Sequence, residues 1–387
     1  MRILFIAHVT GEGGATIALL NLLKGLSVYR DLELAVVCPI SSGFLPSQLE
    51  KLNVRIFYPR NCEYVTFNVY PDGGALWRNF KAMIGMGYRY LRGLYFINSV
   101  IKDYKPDIVH ANSSVCNFAR EYCIRSGIKY INHVREFVTL DFNKTPFPST
   151  RIFHNRMKQD GCYNIAITNA VFEHFSLRDC DRRIYDGVFF ENTEFADQIE
   201  FEFPYFLFVG NLIVAKGLDI LIDEYLQFCN TNKNIHLLIV GKIKGNEQLV
   251  ENCRNKIKNA KCSHLVHWLG VRHDIYSLMA GAKALVVPSL NEGFGYITAE
   301  AMFSKCLVIG RNTAGTKEQF DLGREQTGCE IGLRFDKNEE IRHLLKRVIE
   351  EDFTDMRKNA YNVVKENYTI ETNARNVYGY YKTILDI

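Results

Sequence analysis

The chain has 387 residues, 47% of them hydrophobic, which is too long for one ordinary core and implies two domains. A net charge of +4 is far too weak for a nucleic-acid footprint. Eleven cysteines without a C-x-x-C argue against a disulfide framework or a zinc site and for free thiols in a reducing cytosol.

Residues 3–7 read as a buried first strand that runs into a glycine-rich turn, not as a signal peptide. No apolar run reaches 18 residues, so no membrane-spanning helix is expected. The loop His8-Val9-Thr10-Gly11-Glu12-Gly13-Gly14-Ala15 then leads to a helix pattern over 16–26. Its glycines permit close approach of a ligand, but it is neither a G-x-G-x-x-G nor a P-loop, and taken alone it reads first as plain turn chemistry. A strand pattern follows at 32–38. The stretch 76–101 mixes Trp77, Phe80, Tyr88, Tyr90, Tyr95 and Phe96 with Arg78, Lys81, Arg89 and Arg92. It reads first as a helix packed on the N-terminal sheet, with contact against an anionic bilayer as the second reading.

Strand patterns at 107–111, 130–133 and 165–168 alternate with helix patterns at 116–126 and from Asn169. This is the punctuation of a parallel sheet covered by helices. His133 ends one strand and His110 and Asn112 end another, where a histidine could donate to a hydroxyl, shuttle a proton near neutral pH or simply cap a carbonyl. Asp179-Cys180-Asp181 looks like a D-x-D metal motif but sits among Arg178, Arg182 and Arg183, and is read as a surface charge cluster.

After an acidic linker at 191–204 the pattern restarts, with strands at 205–209, 235–240, 264–269, 284–287 and 306–309. Lys216-Gly217 opens a helix after the first of these, and a lysine there runs against the dipole preference, which suggests an anionic partner such as a diphosphate. The strongest signal is the run Glu292-Gly293-Phe294-Gly295-Tyr296-Ile297-Thr298-Ala299-Glu300. One acid sits on a strand-to-helix loop and the other about a turn into the helix, with glycines and a helix start between them. That order suits the sugar, diphosphate and ribose of a nucleotide-sugar. Thr313-Ala314-Gly315-Thr316-Lys317-Glu318 offers a further small-residue loop, or simply a helix capped by Thr316.

Taken together, the E-x7-E run at Glu292 and Glu300, the Gly13-Gly14 loop, His133, Ile184-Tyr185-Asp186-Gly187-Val188, Lys216-Gly217 and 313–318 resemble the family 4 retaining glycosyltransferases. The resemblance implies the GT-B fold: two doubly wound Rossmann-like domains facing a central cleft, at 1–195 and 196–371, with the C-terminal helix at about 372–387 crossing back onto the first. It implies that Glu292 holds the donor sugar, Glu300 the ribose, and Lys216 the diphosphate, assisted by the backbone of Gly293, Phe294, Gly295, Tyr296 and Ile297. Val271 and Arg272 would border the base, Gly13 and Gly14 would lie under the diphosphate and acceptor, and His133 by the reacting face of the sugar. It further implies a UDP- or GDP-linked donor, no metal or other cofactor, a glycan or lipid-linked acceptor, and work in the cytoplasm or at the inner face of the membrane. The sequence departs from the family at Asn211, where an arginine is usual; Lys242 is a candidate replacement for its charge. The alternatives are an epimerase or hydrolase acting on the donor alone, or a sugar-binding subunit without catalysis.

Overall fold

The computed structural model describes residues 1–59, 76–116, 118–138, 146, 149–194, 197–199, 201–232, 234–243 and 245–387, with no side-chain description for 76–83 and 86. The chain divides into two compact units, Met1–Phe190 with Thr369–Ile387, and Glu191–Tyr368. The boundaries fall slightly earlier than the expected 195 and 372. A bridge between Phe189 and Thr369 and a 2.8 Å bond from Ile370 N–H to the Phe189 carbonyl tie the returning chain to the first unit at that point.

The first unit is built on β1 (Arg2–Ile6), β2 (Glu33–Val37), β3 (Arg55–Phe57), β4 (Ile108–Ala111), β5 (Lys129–Val134), β6 (Cys162–Ala166) and β7 (Arg182–Arg183). They form one parallel sheet in the order β3-β2-β1-β4-β5-β6-β7. Strand side chains alternate between two cores, as the period of two requires. Ile3 and Phe5 join the helices Gly14–Leu26 and Ile370–Leu385, while Leu4 and Ile6 join Ile97, Val100 and Tyr104 of the long helix Leu76–Tyr104. The final helix starts at Thr369, whose side chain accepts from Thr372 N–H. It is held by bonds from Asn373 Nδ2 to the Tyr185 carbonyl at 2.6 Å and from Tyr380 Oη to the Cys180 carbonyl at 2.8 Å.

The second unit holds β8 (Tyr205–Val209), β9 (His236–Val240), β10 (Val266–Gly270), β11 (Ala284–Val287), β12 (Val308–Arg311) and β13 (Leu333–Phe335). They are again all parallel, in the order β10-β9-β8-β11-β12-β13. Its core joins Phe206, Phe208, Leu237, Ile239 and Val286 to the helices Leu218–Phe228, Glu247–Lys258 and Glu340–Glu350. Among the described residues no helix is long and apolar enough to cross a membrane.

Candidate functional site

In an open parallel sheet the ligand crevice forms outside the carboxyl ends of the strands, where the strand order reverses. In the second unit that point lies between β8 and β11, and the two chains leaving these strands carry Lys216 and Glu292. Lys216 Nζ stands 2.5 Å from Glu292 Oε1. The approach is set by backbone: Leu290 N–H donates to the Ala215 carbonyl at 2.9 Å, and the 3-10 turn Val214–Lys216 ends at Gly217 with φ of 67°. A Cβ at Gly217 would lie 2.5 Å from the Pro288 carbonyl oxygen, so glycine is required there for both conformation and contact.

The loop from Glu292 to Gly295 is held from behind by the chain after β12. Gly315 N–H donates to the Glu292 carbonyl at 2.8 Å, and Gln319 Nε2 to the carbonyls of Phe294 and Gly295 at 2.7 and 3.0 Å. Gly295 takes φ of 86° as the residue before the helix Tyr296–Phe303, a left-handed turn that aims the positive end of the helix dipole at the loop. The expected helix cap at Thr316 is absent. The helix Ala314–Thr327 starts after Thr313, and Thr316 is buried with its hydroxyl 3.4 Å from that of Thr298. The Phe294 side chain is buried, with its ring 5.2 Å from that of Tyr368.

Glu300 projects from the helix one turn on, and Tyr276 Oη donates to its Oε1 at 3.3 Å. Burial pushes the Glu300 carboxyl up to about 7, with the tyrosine hydroxyl opposing the rise. Tyr276 carried no local sequence signal, since its partner lies on another helix. Val271 is exposed, and Arg272 pairs with Asp274 at the surface. Asn211 and Lys242 are both exposed, and their loops run side by side through a bond from Leu212 N–H to the Lys242 carbonyl at 2.9 Å.

In the first unit the order reverses between β1 and β4. The Gly13-Gly14 loop follows β1, and the Gly13 carbonyl accepts from Thr16 and Ile17 N–H at 3.0 Å each. A Cβ at Gly13 or Gly14 would meet nothing within 4 Å, so this surface is open. Asn112 Nδ2, after β4, donates to the Ala15 carbonyl at 2.8 Å.

His133 differs from its expected role. It is fully buried, with Nδ1 3.1 Å from His110 Nε2 and 3.2 Å from Arg135 Nη2. Because the guanidinium can only donate, His133 Nδ1 accepts, and the ring proton sits on Nε2, 3.6 Å from Asp186 Oδ1. His110 then donates from Nε2, and its Nδ1 takes a hydrogen bond from Tyr381 Oη at 2.5 Å. Burial, reinforced by Arg135, holds both imidazoles well below their ordinary value, so both are neutral. A proton shuttle near neutral pH is therefore replaced by a neutral, hydrogen-bonded imidazole.

Arg135 bonds the Asp186 carboxylate and the Asn112 carbonyl, and Glu136 accepts from Ser113 Oγ and from Ser114 N–H and Oγ. Sequence reasoning passed over this network because its members lie far apart in the chain. The D-x-D reading is also revised. Asp181 is buried, and its carboxylate accepts from Asn164 N–H and Arg178 N–H at 2.8 and 2.9 Å, so it organises the turn before β7 rather than a charged surface.

Comparison with known proteins bears on this geometry. Residues 190–366 match the family model described as Glycosyl transferases group 1. The match spans nearly the whole of the second unit. An uncharacterized glycosyltransferase of Methanocaldococcus jannaschii is 33% identical over 159 residues, 41% of each chain. The trehalose synthase of Thermococcus litoralis is 24% identical over 271 residues, 68% of this chain and 59% of that protein. These matches thus span less than two thirds of the curated relatives' own lengths. Among solved structures, Anabaena Alr3699/HepE in complex with UDP and glucose has a TM-score of 0.75 at 18% identity, covering 99% of this chain and 100% of that one. Sucrose-phosphate synthase from Thermosynechococcus elongatus has a TM-score of 0.73 at 14% identity, covering 100% and 99%. The chain thus shares the GT-B fold of these structures, with its two parallel-sheet α/β units.

Proposed function

We propose that the protein is a family 4 retaining glycosyltransferase that moves a sugar from a nucleotide diphosphate-sugar to an acceptor hydroxyl without a metal ion. The observation that carries this is the Lys216–Glu292 pair at the strand-order reversal of a domain matching the group 1 glycosyltransferase model, beside the start of the helix that carries Glu300 one turn in. A cation paired with a carboxylate is matched to a ligand bearing a diphosphate and sugar hydroxyls side by side. Lys216 would turn to the diphosphate and Glu292 to the sugar, so that departing negative charge meets a fixed cation and the helix dipole. Glu300 would accept from ribose hydroxyls. Exposed Val271 and Arg272 would border the base, and Lys242 would supply the charge that Asn211 lacks.

In the first unit the open surface over Gly13 and Gly14 would receive the acceptor side. We assign His133 a positioning role, bracing Arg135 beside Asp186, in place of proton transfer. UDP in the Anabaena structure favours a UDP-linked donor over a GDP-linked one. A glycan or lipid-linked acceptor and a role in cell-surface polysaccharide synthesis complete the proposal.

Calorimetry with UDP and GDP, followed by nucleotide release from UDP-sugars with and without a panel of sugar acceptors, tests this reading. Acceptor-dependent release, product of unchanged anomeric configuration by NMR and full turnover in EDTA are expected. Donor consumption without acceptor would favour an epimerase or hydrolase. Failure to bind any nucleotide would leave only a non-catalytic sugar-binding subunit.

A further inference from the structure

Glu136 leaves the carboxyl end of β5, the strand beside β4 in the first unit's sheet, and is 9% exposed. Its carboxylate is held on one side only. Ser113 Oγ at 2.5 Å, Ser114 N–H at 3.0 Å and Ser114 Oγ at 2.9 Å all donate to Oε1. Among the described residues no donor meets Oε2, and Oε2 is not one of the buried polar atoms sealed off without a partner. Burial raises the Glu136 carboxyl above its ordinary value, while Ser113 and Ser114 oppose the rise by bonding to the charged form.

The two serines tie Glu136 to the open surface over Gly13 and Gly14. They follow Asn112, whose Nδ2 donates to the Ala15 carbonyl at 2.8 Å, one residue beyond Gly14. The chains leaving β1, β4 and β5 are thus bonded in a row. The charged groups beside Glu136 are engaged elsewhere. Arg135 Nη1 bonds Asp186, its Nε donates to the Asn112 carbonyl at 3.2 Å, and its Nη2 donates to His133. His8, His110 and His133 are held neutral by burial. Tying the loop after β4 to β5 needs one oxygen. A carboxylate buried at a desolvation cost with its second oxygen unbonded suits a ligand that brings its own donor.

We infer that Glu136 binds the acceptor: its Oε2 takes a hydrogen bond from an acceptor hydroxyl, and its charge selects an acceptor that is neutral at that point. A hydroxyl supplies the donor that Oε2 lacks. A phosphate or a uronate carboxylate supplies none and would set like charges together, so such groups are rejected there. Ser113 and Ser114 fix the carboxylate in place, so the free oxygen is aimed before the acceptor arrives. The inference rests on the glycosyltransferase reading and narrows its acceptor to a neutral, hydroxyl-bearing sugar end.

The test is nucleotide release by the full chain from UDP-glucose, UDP-galactose and UDP-N-acetylglucosamine. Methyl glycosides of glucose, galactose, mannose and N-acetylglucosamine serve as neutral acceptors, and methyl glucuronide and glucose 6-phosphate as anionic ones. Release is expected with a neutral acceptor and not with the anionic ones. Glu136→Gln keeps an oxygen for the two serines but turns the other end into a donor. It should raise the acceptor KM at least about tenfold, with the donor KM and the unfolding midpoint close to those of the parent. Deoxy analogues of the acceptor separate contact from a structural role. Removal of one particular hydroxyl should weaken the parent about tenfold and Glu136→Gln far less, because the partner of that hydroxyl is already gone. Should Glu136→Gln fail to fold, the deoxy series and the neutral-against-anionic comparison on the parent still decide. An unchanged acceptor KM in Glu136→Gln, equal losses in both proteins for every deoxy analogue, or preference for an anionic acceptor would overturn this inference alone. Absence of transfer by the parent from every donor would overturn the glycosyltransferase reading with it.

Discussion

Lys216 and Glu292 form the contact on which the functional reading depends most. Each is only partly buried, so their mutual attraction adds little stability, and its removal is informative about ligand rather than fold. Replacing either by alanine is expected to lower turnover of a nucleotide-sugar by about 10²–10³, while the unfolding midpoint stays nearly unchanged. Near-normal turnover in Glu292→Ala would sink the donor assignment. Glu300 supplies a second residue-level prediction. Burial pushes its carboxyl up to about 7, and ribose hydroxyls donating to the carboxylate would favour the charged form. Donor binding should therefore release a proton below neutrality. Affinity for an intact nucleotide-sugar should rise from pH 6 to pH 8, and Glu300→Gln should bind more weakly and with a flat profile. An intact nucleotide-sugar is the right probe because its phosphates do not titrate in this range.

At the scale of elements, two junctions carry the site. The left-handed turn at Gly295 directs the helix Tyr296–Phe303, and an alanine there would be forced into a conformation costing about 1–2 kcal/mol, against φ of 86°. Gly295→Ala should lower stability by about that amount in denaturant titration and weaken nucleotide binding, because the loop carrying Glu292 would relax. The C-terminal helix makes the other junction. The Tyr381 hydroxyl donates a hydrogen bond to Nδ1 of buried His110, which in turn donates to His133. Tyr381→Phe would leave His110 Nδ1 buried without a donor, at a cost of about 1–3 kcal/mol. Hydrogen exchange should show the resulting opening in the helix Ile370–Leu385 and in β4 and β5, with a smaller effect in the second unit. An effect spread evenly over both units would contradict the chain of bonds inferred here.

For the whole molecule, acid should act through the buried histidines. His8 is held down to about 4 by burial, with Arg135 adding to it, and His110 and His133 lie well below their ordinary value. Below about 6.5 the unfolded chain takes up protons that the folded one refuses, so stability falls as pH drops from 6.5 toward 4. Glu136 and Glu300, both raised by burial, act in the opposite sense, gaining stability as they protonate. His154 is lowered by burial in the same sense, so four histidines stand against one raised glutamate in the first unit, and a net loss is expected there, measurable as a lower denaturant midpoint at pH 5 than at pH 7. A flat response would mean that the imidazoles are not held neutral.

The same contrast divides what sequence could determine from what it could not. Alternating strand and helix patterns, the glycines at 217 and 295 and the spacing from Glu292 to Glu300 are local. Each follows from periodicity or from a backbone conformation that one residue type adopts, so the two parallel sheets and the loops that carry the candidate site were legible in the chain. Which loops become neighbours is decided by strand order, and only that order brings Lys216 against Glu292 across 76 residues and Gln319 behind Phe294. Burial is decided there too. It makes His133 a neutral member of a network rather than a proton shuttle, and Asp181 a structural acceptor rather than a surface charge. A sequence states which groups are available; desolvation and partners reached across the sheet determine their charge and the direction they face.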